Sequence, residues 1–353
     1  MQDMDIIYIK RCIELAAQGQ LTVSPNPMVG CVIVRNGNIL AEGYHQKKGC
    51  DHAERDALAK LSDAKDATLY CNLEPCCHHN KTTPPCVPLI IESGIKKVVI
   101  SNLDPNPAVA GKGVQQLRDA GVEVIVGVCE NAGAELNKVF FTNMTEQRAF
   151  VTLKFAQTLD GKLATHNGDS KWISSEASRK RAHQLRQAHD AVLVGSGTLN
   201  NDNPSLNIRY GLDSNHQSPW RLVLGSLANM NWQANLFTDN LKDKTMVITV
   251  DDISSVPAGI KAIQINSPIR FDNLWHKLLS ENITSVLVEG GPKLLSSIIE
   301  QNAFDGVEVF IAPRILGDGI AISGRAQELM KNTIQLTGED IHLSARRAPC
   351  SQV

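Results

Sequence analysis

The chain has no excess of charge of either sign. Lys and Arg total 35 against 37 Asp and Glu, a net charge of −2 over 353 residues. No basic block is present to follow a phosphate backbone, which argues against nucleic acid as a partner. Long hydrophobic runs are also missing. Val122 to Val128 is among the longest and is too short and too interrupted to span a bilayer, so no membrane partner is expected. The opening Met1-Gln2-Asp3-Met4-Asp5 is acidic and lacks the basic-then-apolar order of a secretory leader. The nine cysteines are an odd number without secretory context, so a disulfide framework is not expected. The sequons at Asn143 and Asn282 then carry no weight. Neither an internal repeat nor a low-complexity segment occurs, and the simplest compartment is the cytoplasm.

What is present is enough chain for two domains, with an ordinary 42% hydrophobic content. The first half alternates helices and strands. Asp5 to Gln18 has an amphipathic pattern ending near Gly19. Gly30 to Val34 and Ile39 to Gly43 flank an Asn36-Gly37 turn, a hairpin signature. Strand patterns follow at Ala67–Leu73, Lys97–Ser101 and Val122–Val126, with a helix at Gly113–Ala120 and another expected over Val128–Asn143. The expectation is a mixed α/β layered unit over residues 1–146. The polar Thr145-Glu146-Gln147-Arg148 and the strand that follows at once open a second α/β unit over residues 147–353.

Two segments of the first half carry chemistry: His52-Ala53-Glu54 and Pro75-Cys76…Cys86. One imidazole and two thiolates leave a fourth zinc position open for water, the mark of a catalytic rather than a structural site. A carboxylate two residues after the histidine is then placed to move protons, the pattern of zinc nucleobase deaminases. His52 sits at the start of one helix pattern and Cys86 at the start of another, so two positive helix ends favour thiolate at the metal. Cys12, Cys31, Cys71 and Cys129 lie in apolar runs and read as core residues. Cys50 competes as a ligand, and His78 or His79 stand as alternatives to His52, with the mouth of the pocket as their other reading. A structural zinc or buried thiols are the bland alternatives.

The second half shows two glycine turns after buried strands, Gly195-Ser196-Gly197-Thr198 and Glu289-Gly290-Gly291-Pro292. Such turns let backbone N–H groups approach an anion. Neither carries the full dinucleotide fingerprint. Asp160-Gly161-Lys162 follows the strand bearing Lys154, Trp172 lies in a polar segment, and Asn201–Leu206 reads as a polar loop. Arg186 and Arg209 are candidates to hold a phosphate.

Together these residues resemble the bifunctional deaminase–reductase family of riboflavin biosynthesis. The marks are Ser24-Pro25-Asn26-Pro27-Met28-Val29-Gly30, His52-Ala53-Glu54, Leu73-Glu74-Pro75-Cys76, Pro84-Pro85-Cys86 and Asn102-Leu103-Asp104-Pro105-Asn106-Pro107. In the second half they are Leu159-Asp160-Gly161-Lys162, Trp172-Ile173-Ser174, Leu185-Arg186, Asp190 to Gly195, Asp202-Asn203-Pro204-Ser205-Leu206 and Glu289-Gly290-Gly291. The resemblance implies a cytidine-deaminase-like three-layer α/β/α domain followed by a dihydrofolate-reductase-like α/β domain. It implies one zinc per chain on His52, Cys76 and Cys86, with Glu54 as proton carrier and Asn26 on the pyrimidine. Ala156, Trp172, Thr198, Asp202 and Gly291 match NADPH positions. Lys154, Ser170, Arg186, Leu206, Arg209 and Glu289 match positions for a phosphorylated pyrimidine substrate. A homodimer or homotetramer is implied as well. Asp51 stands where the family has proline, Asn80 where glycine is common, and Thr82-Thr83 lengthens the zinc loop by one residue, a cheap change in a loop. A nucleoside or transfer-RNA deaminase with an unrelated second domain is the competing enzyme class. A zinc-stapled binding module is the competing non-enzyme, against which Glu54 speaks.

Overall fold

The computed structural model describes residues 2–78, 83–107, 109–168, 173–212 and 218–348. It divides into two compact units, Met1–Gln147 and Arg148–Val353, one residue beyond the boundary expected from sequence.

The first unit runs α1 (Gln2–Ala17), β1 (Gly30–Arg35), β2 (Asn38–Tyr44), α2 (Ala53–Leu58), β3 (Thr68–Leu73), α3 (Cys86–Glu92), β4 (Lys97–Asn102), α4 (Lys112–Asp119), β5 (Glu123–Val126), α5 (Glu130–Leu136) and α6 (Lys138–Glu146). Its sheet order is β2-β1-β3-β4-β5. The β1–β2 and β1–β3 pairs are antiparallel, and β3, β4 and β5 are parallel. The hairpin turns through Asn36 and Gly37, both with positive φ (53° and 79°), as a type I′ turn requires. Side chains alternate across the sheet. Cys31, Ile33, Leu69, Cys71, Val98 and Ile100 pack with α2, α3 and α4. Val32, Val34, Tyr70 and Val99 pack with Tyr8, Ile9, Cys12 and Leu15 of α1. The unit is therefore three-layered. Cys12, Cys31 and Cys71 are fully buried and Cys129 half-buried.

The helix expected over Val128–Asn143 is two helices. Asn137 interrupts it at φ −100°. Its side chain turns to the segment carrying Asn26, accepting from the Met28 N–H and donating to the Met28 carbonyl, both at 2.8 Å. Periodicity cannot show a break whose cause lies more than a hundred residues away.

The second unit comprises β6 (Phe150–Thr158), β7 (Ala164–Thr165), α7 (Glu176–Gln187), β8 (Ala191–Gly195), α8 (Ser196–Asp202), β9 (Trp220–Leu224), α9 (Asn235–Thr238), β10 (Thr245–Thr249), β11 (Lys261–Gln264), α10 (Phe271–Ser280), β12 (Ser285–Val288), α11 (Pro292–Glu300), β13 (Gly306–Ala312), β14 (Gly319–Ile320), β15 (Leu329–Thr337) and β16 (Asp340–Arg347). The large sheet has the order β11-β10-β9-β8-β12-β6-β13-β16-β15. Its first seven strands are parallel, and the last two form an antiparallel hairpin. The central strands are apolar on both faces because both are covered. Ala191 and Leu193 join the core beneath α10 and α11, while Val192 and Val194 face Leu199 of α8. The residues expected as a polar loop from Asn201 begin inside α8, which starts at Ser196 and ends at Asp202. Strand β16 carries the chain to Arg347. Cys350 lies outside the described residues.

Candidate metal centre and a charged cluster in the second unit

The metal centre is assembled where β3 ends and two helices begin. His52 caps α2 in an extended conformation (φ −71°, ψ 160°), and Pro85 does the same for α3, so Cys86 is its first residue. The Cys86 N–H, a helix-start donor, reaches the Cys76 carbonyl at 3.0 Å and Cys76 Sγ at 3.3 Å. His52 Nδ1 lies 3.4 Å from Cys76 Sγ and 3.6 Å from Cys86 Sγ. Zinc bonds of about 2.0 and 2.3 Å at a tetrahedral angle require an N···S edge of about 3.5 Å. The three ligand atoms all lie within 4.8 Å of one another, and theirs is the group among the described residues that fits a metal. Thr83 Oγ1 sits 3.1 Å from His52 Nε2 and fixes the ring from behind.

Glu54 stands within the first turn of α2, as its spacing from His52 predicts. It is 3% exposed, and its Oε2 has no hydrogen-bond partner. An orphaned buried carboxylate oxygen beside an open coordination position fits a metal-bound water. Burial, and then the Cys76 thiolate, raise its carboxyl above the ordinary range. Cys50 is exposed and Cys77 half-buried, and neither belongs to the ligand group. His78 is also outside it, with a buried Nδ1 that lacks a partner. His79, Asn80 and Thr82 lie outside the described residues.

Asn26 reaches the centre through a residue that sequence reasoning missed. Its Nδ2 is 3.1 Å from His45 Nε2, and His45 Nδ1 is 3.0 Å from the Asp51 carbonyl. The two imidazoles of His45 and His52 meet edge to face at 5.4 Å. Burial lowers the His45 pKa. Asn72 adds to the grip of Asn137, donating to the Met28 carbonyl and accepting from the Gly30 N–H. Glu74 was also missed as a structural device. Buried, it accepts from the N–H groups of Asp104, Gly111 and Val114. It thereby ties the Asn102–Pro107 motif to the residue two before Cys76. At Gly113 a Cβ would stand 2.3 Å from the Pro75 carbonyl, so only glycine fits.

In the second unit the candidate residues gather at the carboxyl ends of the parallel strands, where open α/β sheets bind ligands. The two glycine turns are neighbours: the Gly291 N–H donates to Thr198 Oγ1 at 3.1 Å. Arg186 forks onto Glu289, Nε to Oε1 at 2.5 Å and Nη2 to Oε2 at 2.9 Å. Lys154 Nζ approaches the same carboxylate at 3.6 Å. Burial alone would raise the Glu289 carboxyl, but the two cations outweigh it and hold it at about 2. Burial lowers the Lys154 pKa against the opposing pull of Glu289. Arg186 and Arg209 are the candidates for a phosphate; here the Arg186 fork lies on Glu289, with its Nη1 on the Asn207 carbonyl. Arg209 is exposed and makes no ion pair among the described residues. Leu206 is buried with φ +48°, Ala156 is half-buried on β6, and Asp202 ends α8. Ser170 and Trp172 lie outside the described residues. Asp160 pins the segment after β13, accepting from the Leu316 and Gly317 N–H groups.

A buried carboxylate beside a His-Cys-Cys group that fits a metal is the arrangement of a nucleobase-deaminase type of unit, here joined to a parallel-sheet unit with a charged cluster. Residues 3–102 match the cytidine and deoxycytidylate deaminase zinc-binding region, and residues 149–343 match the RibD C-terminal domain. The chain belongs to the RibD family of riboflavin biosynthesis proteins. It is 41% identical to riboflavin biosynthesis protein RibD of Aquifex aeolicus, over 98% of this chain and 99% of that one. It is 36% identical to the Escherichia coli RibD over 89% of each. Among solved structures, Acinetobacter baumannii RibD superposes with a TM-score of 0.89 at 32% identity, covering 99% and 100% of the two chains. A Thermotoga maritima diaminohydroxyphosphoribosylaminopyrimidine deaminase/5-amino-6-(5-phosphoribosylamino)uracil reductase does so at 0.87 and 37%, covering 98% and 99%.

Proposed function

We propose that the chain performs two consecutive reactions, one in each unit. Residues 1–147 remove the 2-amino group of 2,5-diamino-6-(5-phosphoribosylamino)pyrimidin-4(3H)-one by hydrolysis. Residues 148–353 then reduce the ribosyl chain of the resulting uracil to ribityl with NADPH. The observation that carries the first assignment is the His52–Cys76–Cys86 edge lengths beside the orphaned Glu54 Oε2.

One zinc held by these three residues would bring the pKa of a bound water to about 7. Glu54 takes the proton of the attacking water at Oε2 and delivers it to the leaving amine. Asn26, fixed by His45, orients the pyrimidine. In the reductase unit NADPH supplies hydride. Ala156, Thr198, Asp202 and Gly291 would hold it, with Trp172 assigned there by resemblance. Glu289, locked by Arg186, presents Lys154 to the sugar, where Nζ hands a proton to the developing hydroxyl. Leu206 packs on the substrate and Arg209 takes its phosphate, with Ser170 assigned by resemblance.

The eight described cysteines form no disulfide, and no helix among the described residues is long and apolar enough to cross a membrane. The first of these supports a reducing, cytoplasmic setting. Edge strand β15 exposes Ile334 (72%) and Leu336 (76%), which supports self-association into a dimer or tetramer.

The test is zinc content, ammonia release and NADPH oxidation on one preparation. One zinc per chain, with ammonia release preceding NADPH consumption, sustains the reading. Turnover of cytidine or adenosine, with none of the pyrimidine phosphate, overturns it in favour of a nucleoside deaminase.

A further inference from the structure

Loop 203–209 in the second unit is built under strain. Asn203 (φ +41°) ends α8 in the left-handed region, as asparagine readily does, but Leu206 (φ +48°) lies there too, where a bulky side chain stays only when its surroundings force it. The forcing contacts are on backbone atoms. Arg221, fully buried, donates to the Ser205 carbonyl at 3.1 Å. Arg186 donates to the Asn207 carbonyl at 3.1 Å. At the far end the Arg209 N–H donates to His183 Nδ1 at 3.1 Å. Two of the anchors are arginines that can only donate. The third must be an acceptor.

We propose that His183 is a positioning residue of the reductase unit: by accepting from the Arg209 N–H it fixes that backbone so that the guanidinium, in no ion pair among the described residues, faces the substrate phosphate. The proposal rests on the reductase reading given above. His183 is 4% exposed on α7. Arg186 on the same helix, Arg209 on the loop and Glu289 after β12 face it, and the Tyr210 ring meets it edge to face at 5.1 Å. Burial first, and then the two arginines, lower its pKa to about 4, which keeps Nδ1 available as an acceptor at neutral pH. A side chain of the same size without an acceptor would leave the Arg209 N–H unsatisfied and the end of the loop loose.

Two full-length variants separate the acceptor from the packing. His183→Met fills the space without accepting, and His183→Asn keeps an acceptor near the Nδ1 position. With the phosphoribosylaminouracil as substrate, H183M is expected to raise KM about tenfold. It should leave the Kd for NADPH and the rate of ammonia release unchanged. H183N should return KM to within about threefold of the parent. Inhibition by ribose 5-phosphate, a probe of the phosphate contact alone, should weaken in H183M in step with KM. Equal KM values for H183M and the parent would overturn the proposal. So would a loss in H183N as large as that in H183M, or a parallel rise in the NADPH Kd. If the unsubstituted protein fails to oxidise NADPH with this substrate, the reductase reading itself has failed.

Discussion

Replacing Glu54 by Gln removes a proton carrier while leaving every ligand atom in place. Zinc content should stay at the parent level, and ammonia release should fall by about 10²–10⁴-fold. Unchanged deamination in that variant would refute the assigned role. His183 gives a pH prediction. Its pKa of about 4 lies below the ordinary 6.5, so the folded state prefers the neutral ring. That contribution to stability is complete above pH 6.5 and is lost as pH falls toward 4. Thermal unfolding of the second unit should decline over this window in the parent and decline less in H183M. A uniform offset between the two curves would contradict the assignment. At this scale the zinc set was legible because ligand chemistry demands particular residue types at short spacing. His45 was not, since a lone histidine between a hairpin and a helix carries no pattern. Glu74 stood inside a recognised motif, yet its duty toward three N–H groups beyond Asn102 shows only in three dimensions.

Among the elements, the break between α5 and α6 has a measurable cost. Asn137→Ala removes both bonds to Met28: the N–H loses its partner, while the carbonyl keeps the bond from Asn72. About 2 kcal/mol of stability should be lost from the first unit. The KM of the deamination step should rise through Asn26, while zinc content holds. Unchanged KM with lowered stability would confine Asn137 to a structural role. Strands were readable wherever apolar residues run together, as in β8 and β12, because a parallel sheet covered on both faces admits little else. The exposed β15 was not read, since most of its residues face solvent and its pairing with β16 is set by register rather than by burial.

For the molecule as a whole, each unit has its own core, so the two activities should be separable. Zinc chelation should abolish ammonia release yet spare NADPH oxidation with pre-deaminated substrate. Loss of both would show that the second unit depends on the metal. The two-unit plan was legible from the polar boundary and the restart of strand patterning at Phe150. The strand order was not, because crossover connections leave no local trace. That order has a consequence for synthesis. The zinc ligands span residues 52–86, so the metal can be captured while most of the chain is still untranslated. Strand β6, the first of its unit, lies between β12 and β13, which are made more than a hundred residues later. On the ribosome the first unit can therefore be loaded and closed long before the second has an interior, and the slow, interruption-sensitive stage of making this enzyme falls on the reductase.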